Sequence, residues 1–316
     1  MKTRSTHALA ISCGFLLGTF LTAAQPVAAA PPARPSLVQL PAQDLDGLRQ
    51  EVARARAHDA RPFAEVAKLV ALAPDLNAAA RARRAPIALA IARLGPSALL
   101  PALELLAVEP ARTPPVVRRE LIEAAGLFRD PRALPVLSAI LDDADEDFET
   151  TRSAAEAIAR VGGDAAADRL VAALERATGD RARAVISGMG ECRRAHVTQT
   201  IAERLRTAPD EATVRAAIRA LGRAGNAWAW PTLRDRGDEQ QVRATAARAL
   251  VEAFVRHDGH LRIAASNALM LVDAPETPAL VASAKKTVNA ETASALDALA
   301  TRLARNPART PSSPAH

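Results

Sequence analysis

Two stretches of the chain decide its fold: residues 210–222 read DEATVRAAIRALG, and residues 238–250 read DEQQVRATAARAL. Both begin with Asp-Glu, continue to Val-Arg and end in an alanine- and leucine-rich run. A third copy, DFETTR, occupies residues 147–152, again with an aspartate five residues before the arginine. An aspartate before such a run is typical of a helix N-terminus, because its carboxylate accepts hydrogen bonds from the first free amides. The motif therefore predicts a recurring helix that begins after each aspartate.

The motif returns in looser form at a nearly constant interval. Its arginines stand 34, 31, 32, 28 and 19 residues apart, at Arg118, Arg152, Arg183, Arg215, Arg243 and Arg262. Such a period indicates a solenoid in which each repeat is one supersecondary unit, here a helical hairpin. The last interval is too short for a full hairpin. We therefore predict that the repeat around residues 256–260 has lost its second helix.

Short breaks divide each repeat into two helices. They carry Gly, Pro or Asp and occur at Gly95-Pro96, Asp130-Pro131, Gly162-Gly163-Asp164 and Gly225-Asn226. Second helices are predicted at 131–141 and 164–177, for example. A single hairpin cannot bury its apolar stripe, whereas stacked hairpins bury it against their neighbours. The sequence therefore predicts an all-α protein, an α-solenoid of stacked antiparallel helical hairpins.

The pattern resembles the HEAT repeat, especially the short bacterial form of the phycobilisome-lyase type, which reads V-R-x-x-A-A-x-A-L-G before a G-D/N turn. Val117-Arg118, Val214-Arg215 and Val242-Arg243 match its opening. The resemblance covers about residues 80–288 and implies about six repeats. It also implies a concave binding surface lined by the second helices. In addition, it implies a hydrogen-bonded ladder between the turn aspartates and the Val-Arg arginines.

The first thirty residues predict a secretory signal peptide. Lys2 and Arg4 precede the apolar run ALAISCGFLLGTFLTAA at 8–24, and small residues follow it, with plausible cleavage after Ala24 or Ala29. An uncleaved membrane anchor is one alternative, and lipidation at Cys13 is another. The expected location is periplasmic or secreted, with no stable membrane insertion after cleavage.

The remaining segments flank the repeats. We predict a flexible proline-rich lead-in at 31–42 and N-terminal helices at 43–79, either a cap or a degenerate repeat. A C-terminal capping helix is predicted at 289–305, and a disordered tail at 306–316.

The composition suits closely packed helices and gives little indication of a partner. Aromatic residues make up only 3% of the 316 residues, although 49% are hydrophobic. The formal charge of +6 falls once the leader is removed, leaving 39 basic and 35 acidic residues. This mixed balance indicates solvated helix faces. Cys192 is the only cysteine outside the leader, so no internal disulfide is expected.

The arginine series allows two interpretations, a basic groove or a structural ladder, and the Asp-Arg spacing favours the ladder. Two other groups resemble partial metal sites. Cys192 and His196 would share a face if one helix spanned both, and His257 and His260 flank Asp258. Neither group has a third ligand placed by sequence, so we expect no metal site.

The acidic run DDADEDFE at 142–149 has the D-x-D-x-D order of a calcium loop but lacks its glycine and its final glutamate. We interpret it as a turn that caps the next helix.

Trp228 and Trp230 are the only tryptophans and stand two residues apart. On a helix they would point about 200° apart, so one of them should be partly exposed and available to a partner. Both are predicted near the start of a second helix. Arg234 would add a charge contact from the same face.

The sequence contains no G-x-S-x-G, G-x-G-x-x-G, Walker loop or H-E-x-x-H motif. We therefore predict a monomeric, non-enzymatic scaffold without cofactors that binds another protein and not nucleic acid. Two alternatives stay open. One is a nucleic-acid-binding protein that resembles the HEAT-like alkylpurine glycosylases, and the other is a chromophore lyase.

Overall fold

A computed structural model describes residues 42–72, 87–113 and 115–306 of the chain. The predicted signal peptide, the lead-in up to residue 41 and the tail beyond Asn306 lie outside these ranges. In the described part, all regular structure is helical and no strand occurs. None of the helices described is both long enough and apolar enough to cross a membrane.

Within the described ranges, helices α1 (Ala42–His58) and α2 (Arg61–Ala71) are followed by six helical hairpins. The hairpins are α3 (Ile87–Arg93) with α4 (Leu99–Leu103), α5 (Pro115–Leu127) with α6 (Leu134–Asp142), α7 (Phe148–Val161) with α8 (Asp164–Arg176), α9 (Gly179–Met189) with α10 (Ala195–Thr207), α11 (Glu211–Ala224) with α12 (Glu239–Arg256), and α13 (Gly259–Val272) with α14 (Thr277–Lys285). A π-helical turn at Glu104–Val108 extends α4, and α15 (Ala290–Ala304) follows the last hairpin.

The hairpins stack so that like helices are neighbours. First helices pack against first helices in the order α3, α5, α7, α9, α11 and α13. Second helices form the other row, in which α10, α12 and α14 pack in succession. A continuous cluster of buried side chains runs from Val66 to Leu303 between the elements. This arrangement confirms the predicted all-α solenoid.

Small residues let the first helices approach each other closely. A Cβ atom added at Gly188 of α9 would lie 2.3 Å from the Cβ of Ala155 in α7. No side chain fits at that distance, so a larger residue here would push the two helices apart. The alanine-rich composition thus sets the spacing of the first row.

Two of the three motif aspartates cap their helices as predicted. The carboxylate of Asp147 accepts a hydrogen bond from the Thr150 amide across 2.8 Å, and Asp210 does the same for the Thr213 amide. Each aspartate also bonds the threonine hydroxyl. These bonds satisfy amides that have no partner within the helix.

The predicted hydrogen bonds between aspartate and arginine are absent from the three closest copies of the motif, although Arg183 does bond Asp180 in a looser copy. Arg152 instead bonds Glu149, Arg215 bonds Glu211 and Arg243 bonds Glu239. Residues three or four apart on a helix are neighbours, whereas residues five apart point in different directions. The acidic partner is therefore the glutamate of each motif.

The interpretation of Val242-Arg243 as the opening of a first helix is also wrong. The helix that contains them, α12, packs between α10 and α14 and is a second helix. The connection at residues 225–238 that precedes it is unusually long. The repeat around 256–260 has therefore lost no helix: residues 257–258 link a second helix to the first helix of the next repeat. Arg215 and Arg262 are the equivalent positions, 47 residues apart.

The chain remains ordered past α15. Asn306, which the sequence assigned to a disordered tail, is buried, and its side-chain amide donates to the Met270 carbonyl across 3.1 Å. At the other end, α1 begins at Ala42, inside the predicted lead-in.

Candidate functional site

The connection between α11 and α12 carries both tryptophans, and it places them differently. Trp230 is 1% exposed and packs with Ala224 and Val242, whereas Trp228 is 59% exposed. The amide of Ala227 donates to the Leu271 carbonyl across 2.9 Å. This bond ties the backbone directly before Trp228 to the end of α13. One buried and one exposed tryptophan agrees with the sequence argument, while the role of Trp228 in binding stays a prediction.

No second helix begins at the tryptophans. Trp230–Thr232 forms a single 3-10 turn, and Arg234 lies in the irregular chain that follows it. The predicted placement of Trp230 and Arg234 on one helix face is therefore wrong. Proline at position 231 and the Asp235–Gly237 turn explain the difference, because they interrupt the helical run before α12. Arg234 is exposed and faces a separate cavity, described below.

A groove crosses the first helices α7, α9, α11 and α13. It encloses about 690 Å³ and is lined by five arginines together with Phe148, Ser187, Asn267 and Leu271; the arginines are Arg152, Arg183, Arg215, Arg219 and Arg223. We call this surface the arginine groove. Its remaining lining is glycine and alanine, so the long side chains stand around a shallow floor. The sequence-based expectation placed the binding surface on the second helices, and the groove lies on the opposite row.

The arginine groove is basic at its lining and mixed at its margins. Within the described residues, no aspartate or glutamate lines it. Four of the five arginines nevertheless pair with a carboxylate nearby: Arg152 with Glu149 at 2.7 Å, for example, and Arg215 with Glu211 at 2.5 Å. The side chain of Arg219 is exposed and makes no ion pair or hydrogen bond in the described part of the chain. It is therefore the cation most available to a ligand.

Apolar side chains stand among these charges. Phe148, at the start of α7, and Leu271, near the end of α13, are both more than a third exposed. The guanidinium of Arg183 lies 6.0 Å from the centre of the Phe148 ring. A ligand along the groove would thus meet apolar contacts on two helices with cations between them.

The structure divides the arginine series by role. Three of its members line the groove, namely Arg152, Arg183 and Arg215. The others hold the repeats together: Arg118 pairs with the buried Glu146, while Arg243 and Arg262 donate to backbone carbonyls at helix ends. Neither sequence interpretation therefore fits the whole series.

A second cavity, also of about 690 Å³, lies where first helices turn into second helices. We call it the turn cavity. Arg129, Arg193 and Arg234 line it together with Cys192. Burial raises the pKa of the Cys192 thiol to about 11, so the sulfur is protonated at neutral pH and is not a nucleophile.

The two histidine-containing pairs do not form ligand sets. Cys192 lies in the turn before α10 and His196 lies within that helix, so no single helix spans both. The His196 ring is 3.5 Å from Asp168, while Cys192 is buried. His260 contacts Glu211 at 2.8 Å.

His257, by contrast, caps the end of α12. Burial lowers the pKa of His257, and the charge of Arg256 lowers it further, which favours the neutral ring. Across the described residues, no three His, Cys, Asp or Glu side chains are arranged to hold a metal ion.

The acidic run at 142–149 serves the fold. Asp143 accepts from the Asp145 amide, Asp147 caps α7, and Asp142 pairs with Arg176 at 2.7 Å. These contacts agree with the interpretation as a capping turn.

Sequence reasoning missed Phe148, Arg219 and Leu271 as groove residues. A signal for the groove was present in α11, where Arg215, Arg219 and Arg223 recur every four residues and share one helix face. No comparable signal identifies which neighbouring helices complete the surface.

A family model described as HEAT repeats matches residues 107–189. The match spans α5 to α9 and, together with the stacked hairpins, supports a HEAT-repeat protein. No curated protein matches the chain. HEAT repeats form helical scaffolds that usually mediate protein interactions, and the stacked rows described here are such a scaffold.

Proposed function

We propose that this chain is a bacterial, non-enzymatic scaffold of the cell envelope or the secreted space that binds another protein along the arginine groove. We further propose that it acts as a monomer and without a cofactor. The observation that carries the proposal is the groove itself: five arginines and no lining carboxylate among the described residues, with Phe148 and Leu271 exposed beside them.

The chemistry of the groove favours an acidic protein segment that also carries apolar side chains. Guanidinium groups bind carboxylates through paired hydrogen bonds, and Arg219 is available without breaking an existing contact. Exposed aromatic and aliphatic side chains supply the apolar contacts that usually dominate interface energies. Trp228 is exposed and follows Ala227, whose backbone bonds the end of α13, so we include it in the proposed binding surface.

Charge reversal at Arg219 tests the proposal against a matched control. Arg248, on second helix α12, is also exposed and makes no ion pair among the described residues. Bait proteins carrying Arg219→Glu or Arg248→Glu should both fold like the wild type. The groove would be supported by a partner that binds the wild type and Arg248→Glu equally well but binds Arg219→Glu at least about tenfold more weakly. Equal weakening by both changes would contradict it.

The proposed location rests on the first thirty residues of the sequence. Mass spectrometry of the native protein should find a new N-terminus between Gln25 and Pro31. An intact Met1 on protein from the soluble cytosolic fraction would refute export.

The five arginines of the groove are also the observation that favours the alternative function, nucleic-acid binding. A phosphodiester backbone carries one charge per nucleotide and is best bound by several unpaired cations. Only one of the groove arginines, Arg219, lacks a carboxylate partner in the described chain, and the neighbouring Glu149 and Glu211 would repel phosphates. We therefore rank this function second. DNA affinity that falls steeply with salt and is lost in Arg219→Glu would favour it over protein binding. The chromophore-lyase alternative stays a prediction from the resemblance alone.

A further inference from the structure

The turn cavity is built from the turns of four successive hairpins. Arg129 follows α5, Gly162 and Gly163 join α7 to α8, Arg193 precedes α10, and Arg234 precedes α12. Its volume of about 690 Å³ is in the range of small-molecule sites. The cavity lies at the turn ends of the helices, whereas the arginine groove crosses the flanks of the first helices.

Positive charge exceeds negative charge in this cavity. Five arginines line it, against the two carboxylates of Glu191 and Asp235. Both carboxylates already have partners: Asp235 accepts from Arg194 across 2.8 Å, and Glu191 lies 3.6 Å from Arg223. The lining therefore contains more arginines than carboxylates available to neutralise them.

Three of the lining arginines have no carboxylate partner within the described ranges. Arg160 pairs with Glu123 at 3.6 Å and Arg194 pairs with Asp235. Arg129, Arg193 and Arg234, by contrast, form no ion pair with any residue that the structure describes.

Arg193 is the least accommodated of the three. Its guanidinium donates to the Glu191 carbonyl across 3.3 Å, but its Nε is fully buried and has no hydrogen-bond partner among the described residues. Burial lowers the pKa of Arg193; the charge of Glu191 partly offsets this, and the nearby charge of Arg129 lowers the pKa further. A partly buried cation beside a like charge is unfavourable unless an anion neutralises it.

The backbone around the cavity also suits an anion. Gly162 and Gly163 have φ values of 77° and 79°, and α8 begins directly after them without a side-chain cap. The N-terminus of this 13-residue helix follows Gly163 at the edge of the cavity, where the helix dipole favours negative charge, and the first-turn Asp164 supplies part of that charge.

We propose that the turn cavity binds a small multivalent oxyanion, phosphate or a polycarboxylate, through Arg129, Arg193 and Arg234. Guanidinium groups bind both kinds of oxyanion in the same planar, bidentate geometry, so the two sources share one chemistry. The site is independent of the proposed protein-binding groove.

Isothermal titration with inorganic phosphate and, separately, with citrate tests the site on the purified protein. Saturable binding of either anion, absent when chloride is titrated at equal ionic strength, is the expected result. Binding of phosphate alone or of citrate alone would identify the source. The proposal would be overturned if neither anion bound at millimolar concentrations, or if chloride gave the same signal.

Variants assign the binding to these residues. Arg234→Gln changes an exposed side chain. Arg129→Asn introduces a residue that tolerates the left-handed backbone at this position, where φ is 54°. Each should weaken anion binding at least about tenfold. Arg248→Gln, on an exposed part of α12 that lines neither cavity, should leave it unchanged. If Arg193→Gln folds poorly, the Arg234 and Arg129 variants still decide the outcome, and unchanged affinity in both would refute the assignment.

Discussion

The carboxylate of Asp238 accepts a hydrogen bond from the backbone amide of Ala195, with 3.0 Å between Oδ2 and N. Ala195 is the first residue of α10, and Asp238 immediately precedes α12. The aspartate therefore caps a helix other than its own. Because α10 and α12 are adjacent second helices, this bond fixes the end of the tryptophan-containing connection to the preceding repeat.

Replacing Asp238 should destabilise the protein through α10. Asp238→Ala removes the acceptor of a helix N-terminal amide, which typically lowers the free energy of unfolding by about 1 kcal/mol. Urea denaturation measures this as a lower midpoint with an unchanged slope. Asp258→Ala is the matched control, because Asp258 precedes α13 without a side-chain bond to it. Equal loss in both variants would contradict the capping role.

Asp147 should make a pH-dependent contribution of similar size. Burial raises the pKa of Asp147, but hydrogen bonds from the Thr150 amide and hydroxyl lower it more, so the net pKa is lowered. A lowered folded-state pKa means that the stabilisation is complete above the unfolded value of about 3.9 and is lost as the pH falls through the folded value.

The Asp147→Ala variant should therefore be less stable than the wild type by about 1 kcal/mol at neutral pH, and the difference should shrink below about pH 4. Asp145→Ala serves as the control, since the Asp145 side chain is exposed and makes no hydrogen bond among the described residues. A difference that does not change with pH would contradict the argument.

The repeat pattern predicted the fold because local signals and stacking agree. Asp147 and Asp210 precede alanine-rich runs, and both cap helices as expected. The copy at residues 238–250 was misleading because the same letters, D-E-x-x-V-R, stand there at the start of a second helix. A motif that begins a helix does not say in which row the helix packs, since that depends on the length of the preceding connection.

The candidate sites were less predictable because each combines residues from several repeats. The position of Arg219 on α11 could be read from its spacing, but its proximity to Phe148 and Leu271 depends on how four hairpins stack. The turn cavity is a stronger case. Arg129 and Arg234 are 105 residues apart, and only the superposition of successive turns brings them to one cavity.

The pair formed by Arg118 and Glu146 should reveal the cost of a buried charge. Their side chains are 11% and 2% exposed, and they link α5 to the turn before α7. Glu146→Leu leaves the arginine buried without its carboxylate, so we expect a loss of about 3–5 kcal/mol in unfolding free energy.

The double variant Arg118→Leu/Glu146→Leu removes both charges and should recover most of that loss, because apolar pairs of similar volume often replace buried ion pairs without penalty. Denaturant unfolding of the wild type, Arg118→Leu, Glu146→Leu and the double variant forms a complete cycle. Additive losses would show that the two side chains do not interact.

The two tryptophans should separate stability from binding. Trp230 fills a buried cluster with Ala224 and Val242, so Trp230→Ala should lower the unfolding free energy by about 3–5 kcal/mol.

Fluorescence can check the environments of the two tryptophans before any partner is known. With Trp228→Phe, the remaining indole should emit in the blue and resist acrylamide quenching. With Trp230→Phe, the emission should shift to the red and be quenched readily.

Trp228 should instead affect the interaction. Its side chain is 59% exposed, so Trp228→Ala removes little buried surface and should leave the unfolding midpoint close to that of the wild type. If this indole contacts the partner beside the arginine groove, the same variant should bind at least about tenfold more weakly, because exposed tryptophans that become buried at interfaces contribute disproportionately. Arg234→Ala is an informative companion. Arg234 faces the turn cavity and does not share a helix face with either tryptophan, so its loss should leave partner affinity unchanged. Wild-type affinity in Trp228→Ala would exclude this end of the groove from the interface.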